Sequence, residues 1–257
     1  MSEIFILKIY RGTKEKQYWE EFELEVKPVY NIISALMDVQ KNPINRKGQK
    51  VEPIAWEQGC LEEVCGSCSM LINGRPRQAC TALIQTLLDE TKSRTVTLAP
   101  MIKFPLVRDL VVCRDSMFEN LKRIQGWVEI DGAFERGFGP KQDPKIAEAR
   151  YVLSTCMSCG CCVEACPQVN HRSKFIGPAA ISQVRLFNTH PTGKMQASQR
   201  LRVLMEEGGI SDCGNAQNCA AVCPKKIPLT ESIAVMGRAV TKQAVHDAIS
   251  VPDAYLE

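Results

Sequence analysis

An α+β first half followed by an all-helical second half is the fold class that this sequence predicts, and three observations carry it. Apolar residues alternate with period two in the opening segments and recur at helical spacing toward the end. An Asn-Gly pair at 73 and 74 stands between apolar runs, the strongest short-range signal for a β-hairpin. The thirteen cysteines fall into an early group (60, 65, 68, 80), one stray (113) and two late groups (156–166 and 213–223).

The elements follow in order. "IFILKIYR" alternates imperfectly through Ile4 and Ile6, and "EFELEV" alternates cleanly through Phe22, Leu24 and Val26, so both read as strands. "NIISALMDVQ" puts Ile32, Ile33, Leu36, Met37 and Gln40 on one helical face, with Asn31 as its cap. "SMLINGRPRQAC" is the hairpin. "LAPMIKFPLVRDLVVCRDSMF" carries two prolines and reads as the passage between two domains, 1–105 and 106–257. Beyond it, "PKIAEARYVLSTC" opens a helix at Pro144 with Ile146, Ala149 and Leu153 to one side. "SQRLRVLMEEGGI" stops at Gly208-Gly209, and "LTESIAVMGRAVTKQAVHDAI" starts from Thr230 or Ser232 as cap.

Bulk properties exclude several classes. A net charge of +3 is too small to argue for nucleic acid. Charged or polar residues interrupt every apolar run before it could cross a bilayer. The opening Met-Ser-Glu-Ile-Phe lacks the basic, apolar, small-residue order of a signal peptide, so an unexported chain is expected. Thirteen cysteines in such a chain point to metal ligation rather than disulfides. No nucleophile–base pair, phosphate loop or dinucleotide fingerprint is present.

Cys60, Cys65 and Cys68 have the C-x4-C-x2-C spacing of plant-type [2Fe–2S] ligands, with Cys80 across the hairpin. A four-cysteine zinc knuckle is the plainer alternative, and it prefers two C-x2-C-like pairs. Gly59, Gly66 and Ser67 keep the loop small, so main-chain N–H groups can reach the sulfurs. "CMSCGCCVEACP" holds C-x2-C-x2-C-x3-C closed by Pro167, a run whose fourth cysteine ligates the other cluster in two-cluster ferredoxins. Crossing the two late groups by that rule gives Cys156, Cys159, Cys162 and Cys223 to a [4Fe–4S] centre. Cys166, Cys213 and Cys219 remain, and Ala216 stands where a further thiolate would be. Three thiolates match a [3Fe–4S] cluster; a [4Fe–4S] cluster with a non-cysteine ligand on one iron is the rival. Cys113 and Cys161 are surplus and read as buried small side chains. His190 and His246 read as structural or exposed, and His171, five residues past Cys166, as worth attention.

Taken together, "CLEEVCGSCSMLINGRPRQAC", "FPLVRDLVV", "CMSCGCCVEACPQVN", "GPAAISQVRLFNTHPTG" and "CGNAQNCAAVCPKKIPLTESIA" resemble one family over nearly the whole chain. It is the iron–sulfur subunit of succinate dehydrogenase and fumarate reductase, and within it the menaquinone-linked Gram-positive type. The resemblance implies a β-grasp, plant-type ferredoxin-like domain followed by an all-α, bacterial ferredoxin-like domain. It implies an electron wire with no substrate site of its own, fed by a flavoprotein with covalent FAD. The outlet would be a quinone, menaquinone here, held by a membrane-anchor cytochrome b subunit with haem b. The chain would then sit on the cytoplasmic face of the cell membrane, peripheral through its partners. A fumarate reductase running the same wire in reverse and a soluble ferredoxin-type carrier are the alternatives. Pro167 and His171 are the residues the resemblance places near the quinone. In relatives with a ubiquinone pocket a tryptophan follows the Cys-Pro pair and a histidine follows the next ligand. His171 and Gly214 stand there instead, which puts that pocket in question.

Overall fold

The structure is a computed structural model of the chain and describes residues 3–129 and 141–250. Two compact units emerge, Met1–Arg114 with Met157–Ala165, and Asp115–Cys156 with Cys166–Glu257. The sequence reading divides the chain once, at 105/106. The structure instead lets residues 106–114 finish the first unit and returns the short cysteine segment 157–165 to it.

The first unit is built on a five-stranded sheet: β1 (Ile4–Gly12), β2 (Gln17–Glu25), β3 (Ser69–Ile72), β4 (Arg75–Gln78) and β5 (Thr95–Ala99), in the order β2-β1-β5-β3-β4. β1 runs antiparallel to β2 and parallel to β5. Two helices, α1 (Ile32–Lys41) and α2 (Ile84–Thr91), bury Ile32, Ile33, Leu36, Ile84 and Leu87 in the same core as Phe5, Leu7, Ile9 and Phe22. Each such side chain contributes about 1.5–3 kcal/mol by leaving water. A small hairpin, β6 (Leu106–Arg108) and β7 (Val111–Val112), occupies part of the stretch read from sequence as a passage.

The Asn31 cap forms as expected, its side chain accepting from the Ser34 N–H at 2.8 Å. The hairpin forms between β3 and β4, with Asn73 and Gly74 both at positive φ, +49° and +74°. Two expectations are corrected. β1 buries Phe5, Leu7 and Ile9, whereas Ile4 is exposed, so the expected phase of its alternation is one residue out. Every residue from Ile4 to Leu7 is apolar, so polarity could not choose the face. On α1, Met37 and Gln40 are exposed and Ala35 and Val39 complete the buried face.

The second unit is helical: α3 (Asp115–Arg123), α4 (Pro144–Ser154), α6 (Gly177–Thr189), α7 (Ala197–Met205), α8 (Asn218–Ala221) and α9 (Leu229–Ile249). The remaining helix, α5 (Cys161–Glu164), belongs to the first unit. Ile181, Val184, Leu201, Leu204 and Met236 form the helical core. Arg200 is wholly buried there and donates to the carbonyls of Gln125, Trp127 and Gly193 at 2.9, 2.7 and 2.7 Å. Burial pulls its pKa down, yet the guanidinium meets its donors' needs through five acceptors rather than one carboxylate.

Three sequence expectations shift in this unit. α4 begins at Pro144, but Asp143 caps it and only Leu153 is buried; Ile146 is exposed. α7 ends at Met205, short of Gly208, which sits at φ +82° with the Lys174 carbonyl where a side chain would be. Neither Thr230 nor Ser232 caps α9. The helix starts at Leu229 behind Pro228, and the Ser232 hydroxyl donates to the Pro228 carbonyl at 2.9 Å. Among the described residues no helix is long and apolar enough to cross a membrane.

Candidate metal centres

Three of the early cysteines lie on the loop between α1 and β3, and Cys80 just beyond β4. Leu61 and Glu63 adopt positive φ, +62° and +55°, and this alternation turns successive N–H groups inward. The N–H groups of Glu62, Val64 and Cys65 donate to the Cys60 sulfur at 3.3, 3.2 and 3.3 Å. Those of Cys60 and Ser67 donate to the Cys65 sulfur at 3.4 and 3.5 Å. The Ser67 hydroxyl, followed by these N–H groups, brings the Cys65 thiol down to about 6. Cys68 and Cys80 are buried, and burial pushes the Cys68 thiol up to about 12. Iron bound by Cys68 would take the place of that proton and supply the countercharge. A Cβ at Gly59 would stand 2.9 Å from the Cys65 sulfur, so the cradle admits only glycine without movement. The donor set fits a four-thiolate cluster held by hydrogen bonds to its sulfurs.

Behind this loop, Arg114 donates to the carbonyls of Gly66 and Ser67 at 2.6 and 3.1 Å and, at 3.4 Å, to that of Cys159. Gly66 has φ +73°, and a Cβ there would lie 2.7 Å from the Met157 carbonyl and 3.0 Å from Cys159. A Gly66→Ala protein is therefore expected to lose about 2–4 kcal/mol through left-handed strain and a main-chain clash. Thermal unfolding and iron content of the purified protein check this; wild-type values for both would overturn it.

Of the proposed [4Fe–4S] ligands, Cys159 and Cys162 are buried in the first unit, whereas Cys156 and Cys223 belong to the second. Gly160, at φ +84°, caps the start of α5, and a Cβ there would meet the Phe104 ring at 3.0 Å. Glu164, buried at the end of α5, accepts from the N–H groups of Ile102 and Lys103 at 3.1 and 3.0 Å. Cys161 is wholly buried, as its surplus position predicts; Cys113 is only half-buried. The Ile227 N–H donates to the Cys223 sulfur at 3.4 Å.

Cys166, Cys213 and Cys219 line one mostly apolar hollow. Ala216 lines it too, with Phe175, Pro178 and Ile233. Burial, helped by the neighbouring Cys166 and Cys213, pushes the Cys219 thiol up. Asn215 and Gln217 at φ +51° and +62° repeat the alternation of the early loop. Gly214 is confined by Gln168, whose Nε2 would lie 2.4 Å from a Cβ at 214. Three sulfurs around a hollow with a methyl group at the fourth place fit a three-iron cluster. Pro167 lines the hollow; His171 does not, and is exposed. The Asn170 amide donates to the carbonyls of Pro167 and Gln168 at 3.1 and 3.4 Å, curling the chain so that His171 leaves the site. Sequence reasoning missed Gln168 and Gln78, whose amides reach these sites only through tertiary contacts. Among the described residues, no three His, Cys, Asp or Glu side chains converge to hold a single metal ion.

A sheet domain whose cysteine loop is shaped for a plant-type cluster, and a helical unit with further cysteine sets, define a multi-cluster electron-transfer protein. Residues 6–119 match the 2Fe-2S iron-sulfur cluster binding domain family, and residues 152–227 match the 4Fe-4S dicluster domain family. The chain is 55% identical to the succinate dehydrogenase iron-sulfur subunit of Bacillus subtilis (strain 168), covering 88% of each chain. It is 28% identical to the fumarate reductase iron-sulfur subunit of Wolinella succinogenes, covering 87% of this chain and 90% of that one. A chain of the Mycobacterium smegmatis Sdh1 complex in the apo form shares the fold, with TM-score 0.77, 22% identity and coverage of 95% and 98%. The chain belongs to the iron–sulfur subunit family of succinate dehydrogenase and fumarate reductase.

Proposed function

We propose that this chain is the wire of a succinate:quinone oxidoreductase working in the direction of succinate oxidation. It takes electrons from a flavoprotein subunit with covalent FAD and delivers them to a quinone, menaquinone, at a membrane-anchor cytochrome b subunit. The relative at 55% identity, a succinate dehydrogenase subunit, favours that direction over the fumarate reductase relative at 28%. The ligand sets are Cys60, Cys65, Cys68 and Cys80 for [2Fe–2S], Cys156, Cys159, Cys162 and Cys223 for [4Fe–4S], and Cys166, Cys213 and Cys219 for [3Fe–4S]. When bound, the clusters supply one-electron steps in series. The chain's own residues separate and tune those steps: main-chain N–H groups face the Cys60 and Cys65 sulfurs, while apolar side chains surround Cys166, Cys213 and Cys219. Pro167, which lines the three-cysteine hollow, is the residue assigned to the quinone side, and His171 is assigned there only through its position in the sequence. The chain would reach the membrane from the cytoplasmic side through its partners.

The observation that carries this reading is the hollow with three sulfurs and Ala216. Electron paramagnetic resonance on the oxidised, anaerobically isolated protein tests it, because an oxidised [3Fe–4S] cluster is paramagnetic whereas oxidised [2Fe–2S] and [4Fe–4S] clusters are silent. The expected result is a narrow, nearly isotropic signal that vanishes on mild reduction. A silent oxidised protein with full iron would mean a fourth iron at 216 and would replace the quinone-facing terminus with a ferredoxin-type one.

A further inference from the structure

Gln78 ends β4 and is 2% exposed, so its amide must find every partner inside the protein. Its Oε1 lies 3.5 Å from the Cys68 sulfur, and its Nε2 lies 2.9 Å from the Ser69 hydroxyl and 3.5 Å from the Cys161 sulfur. With Cys68 as a thiol this is satisfied, since the S–H donates to Oε1. An iron-bound Cys68 has no S–H. A carbonyl oxygen and a thiolate, both acceptors only, would then face each other at 3.5 Å with water excluded. A half-turn of the amide exchanges Oε1 and Nε2 without moving the rest of the side chain.

The turned amide leaves no neighbour unpaired. Nε2 donates to the Cys68 sulfur, and Oε1 accepts from the Ser69 hydroxyl. The Ser69 hydroxyl then leaves the Gly66 carbonyl, 2.7 Å away, but that carbonyl keeps the Arg114 guanidinium at 2.6 Å. The Cys161 sulfur gives up the amide N–H it accepted and keeps its own S–H on the Cys159 sulfur.

Resting on the assignment of Cys68 to the [2Fe–2S] centre, we propose that the Gln78 amide donates an N–H to the iron-bound Cys68 sulfur, holding up that cluster's reduction potential. Reduction adds negative charge that the cluster sulfurs share, so a buried N–H aimed at one of them stabilises the reduced form more than the oxidised. Gln78 thus acts as a positioning and tuning residue.

The experiment is pulsed electron paramagnetic resonance on reduced protein whose glutamine side-chain amides carry isotopically labelled nitrogen, wild type against Gln78→Leu, with a redox titration of the same signal. The expected result is a weak nitrogen coupling to the [2Fe–2S] signal that disappears on substitution. The midpoint shifts downward, so that at the wild-type midpoint the reduced-to-oxidised ratio falls roughly three- to tenfold. Gln78→Glu keeps the shape without the N–H and serves if the leucine variant does not fold. An intact [2Fe–2S] signal whose coupling and midpoint are unchanged by substitution overturns the proposal. A reduced wild-type protein with no [2Fe–2S] signal overturns instead the ligand assignment beneath it.

Discussion

An Ala216→Cys protein is expected to lose the narrow signal of the oxidised state and to gain iron, because the new thiolate completes the ligand set around Cys166, Cys213 and Cys219. Ala216 lines the same hollow as those three sulfurs, and the substitution places a fourth thiol among them. The converted centre would have a lower potential, by on the order of a hundred millivolts or more, since cluster type is a leading determinant. About 59 mV is a tenfold change in a one-electron equilibrium, so transfer to a quinone becomes uphill and quinone reduction by the assembled complex falls by more than tenfold. The [2Fe–2S] step should be spared, because Cys60, Cys65, Cys68 and Cys80 lie in the other unit. Iron analysis, the oxidised spectrum and quinone reduction together check this. An unchanged iron count with the narrow signal intact would show that residue 216 does not face the cluster.

An Asp109→Ala protein should lose about 2–5 kcal/mol of stability, the cost of leaving two main-chain donors without an acceptor and a buried arginine with one carboxylate in place of two. Asp109 and Arg11 are each 2% exposed, with Oδ1 of the aspartate 3.4 Å from the guanidinium Nε. The same carboxylate accepts from the N–H groups of Gly12 and Ala55, both at 2.8 Å. Arg11 also pairs with the buried Glu20 and donates to the Pro53 carbonyl at 3.2 Å. Removing Asp109 thus orphans two main-chain donors and loosens the segment that leads into Cys60, so iron retention at the early cysteines should fall along with the unfolding midpoint. A double substitution, Arg11→Met with Asp109→Leu, is expected to recover none of the loss, because it leaves the buried Glu20 carboxylate without its arginine and the Gly12 and Ala55 N–H groups without an acceptor. A single-variant cost below about 1 kcal/mol in denaturant unfolding would sink this account.

The elements that were legible in advance share one property: their signals are local. Asn31 as a cap, Asn73-Gly74 as a hairpin turn and the helical start at Pro144 each depend on a few adjacent residues, and each forms. The readings that needed correction depended on what lay across the fold. β1 offers apolar residues on both faces over Ile4–Leu7, so only the position of α1 and α2 decides which set is buried. Thr230 and Ser232 are good capping residues, but Pro228 already sets where α9 begins, leaving Ser232 inside the helix. His171 follows Cys166 closely in sequence, yet the Asn170 turn takes it out of the hollow.

By itself the sequence determined the grouping of the cysteines and the family, because spacing within a loop is a property of a few consecutive residues and survives without knowledge of the fold. Only the tertiary structure decided that residues 157–165 return to the sheet-bearing unit and that Gly66 must be glycine because Met157 and Cys159 press against it. It also decided that a glutamine from one strand stands between Cys68 and Cys161. Those are contacts between residues up to about ninety apart in the chain, and hydrogen bonding and close packing act through space, whereas spacing is read along the backbone.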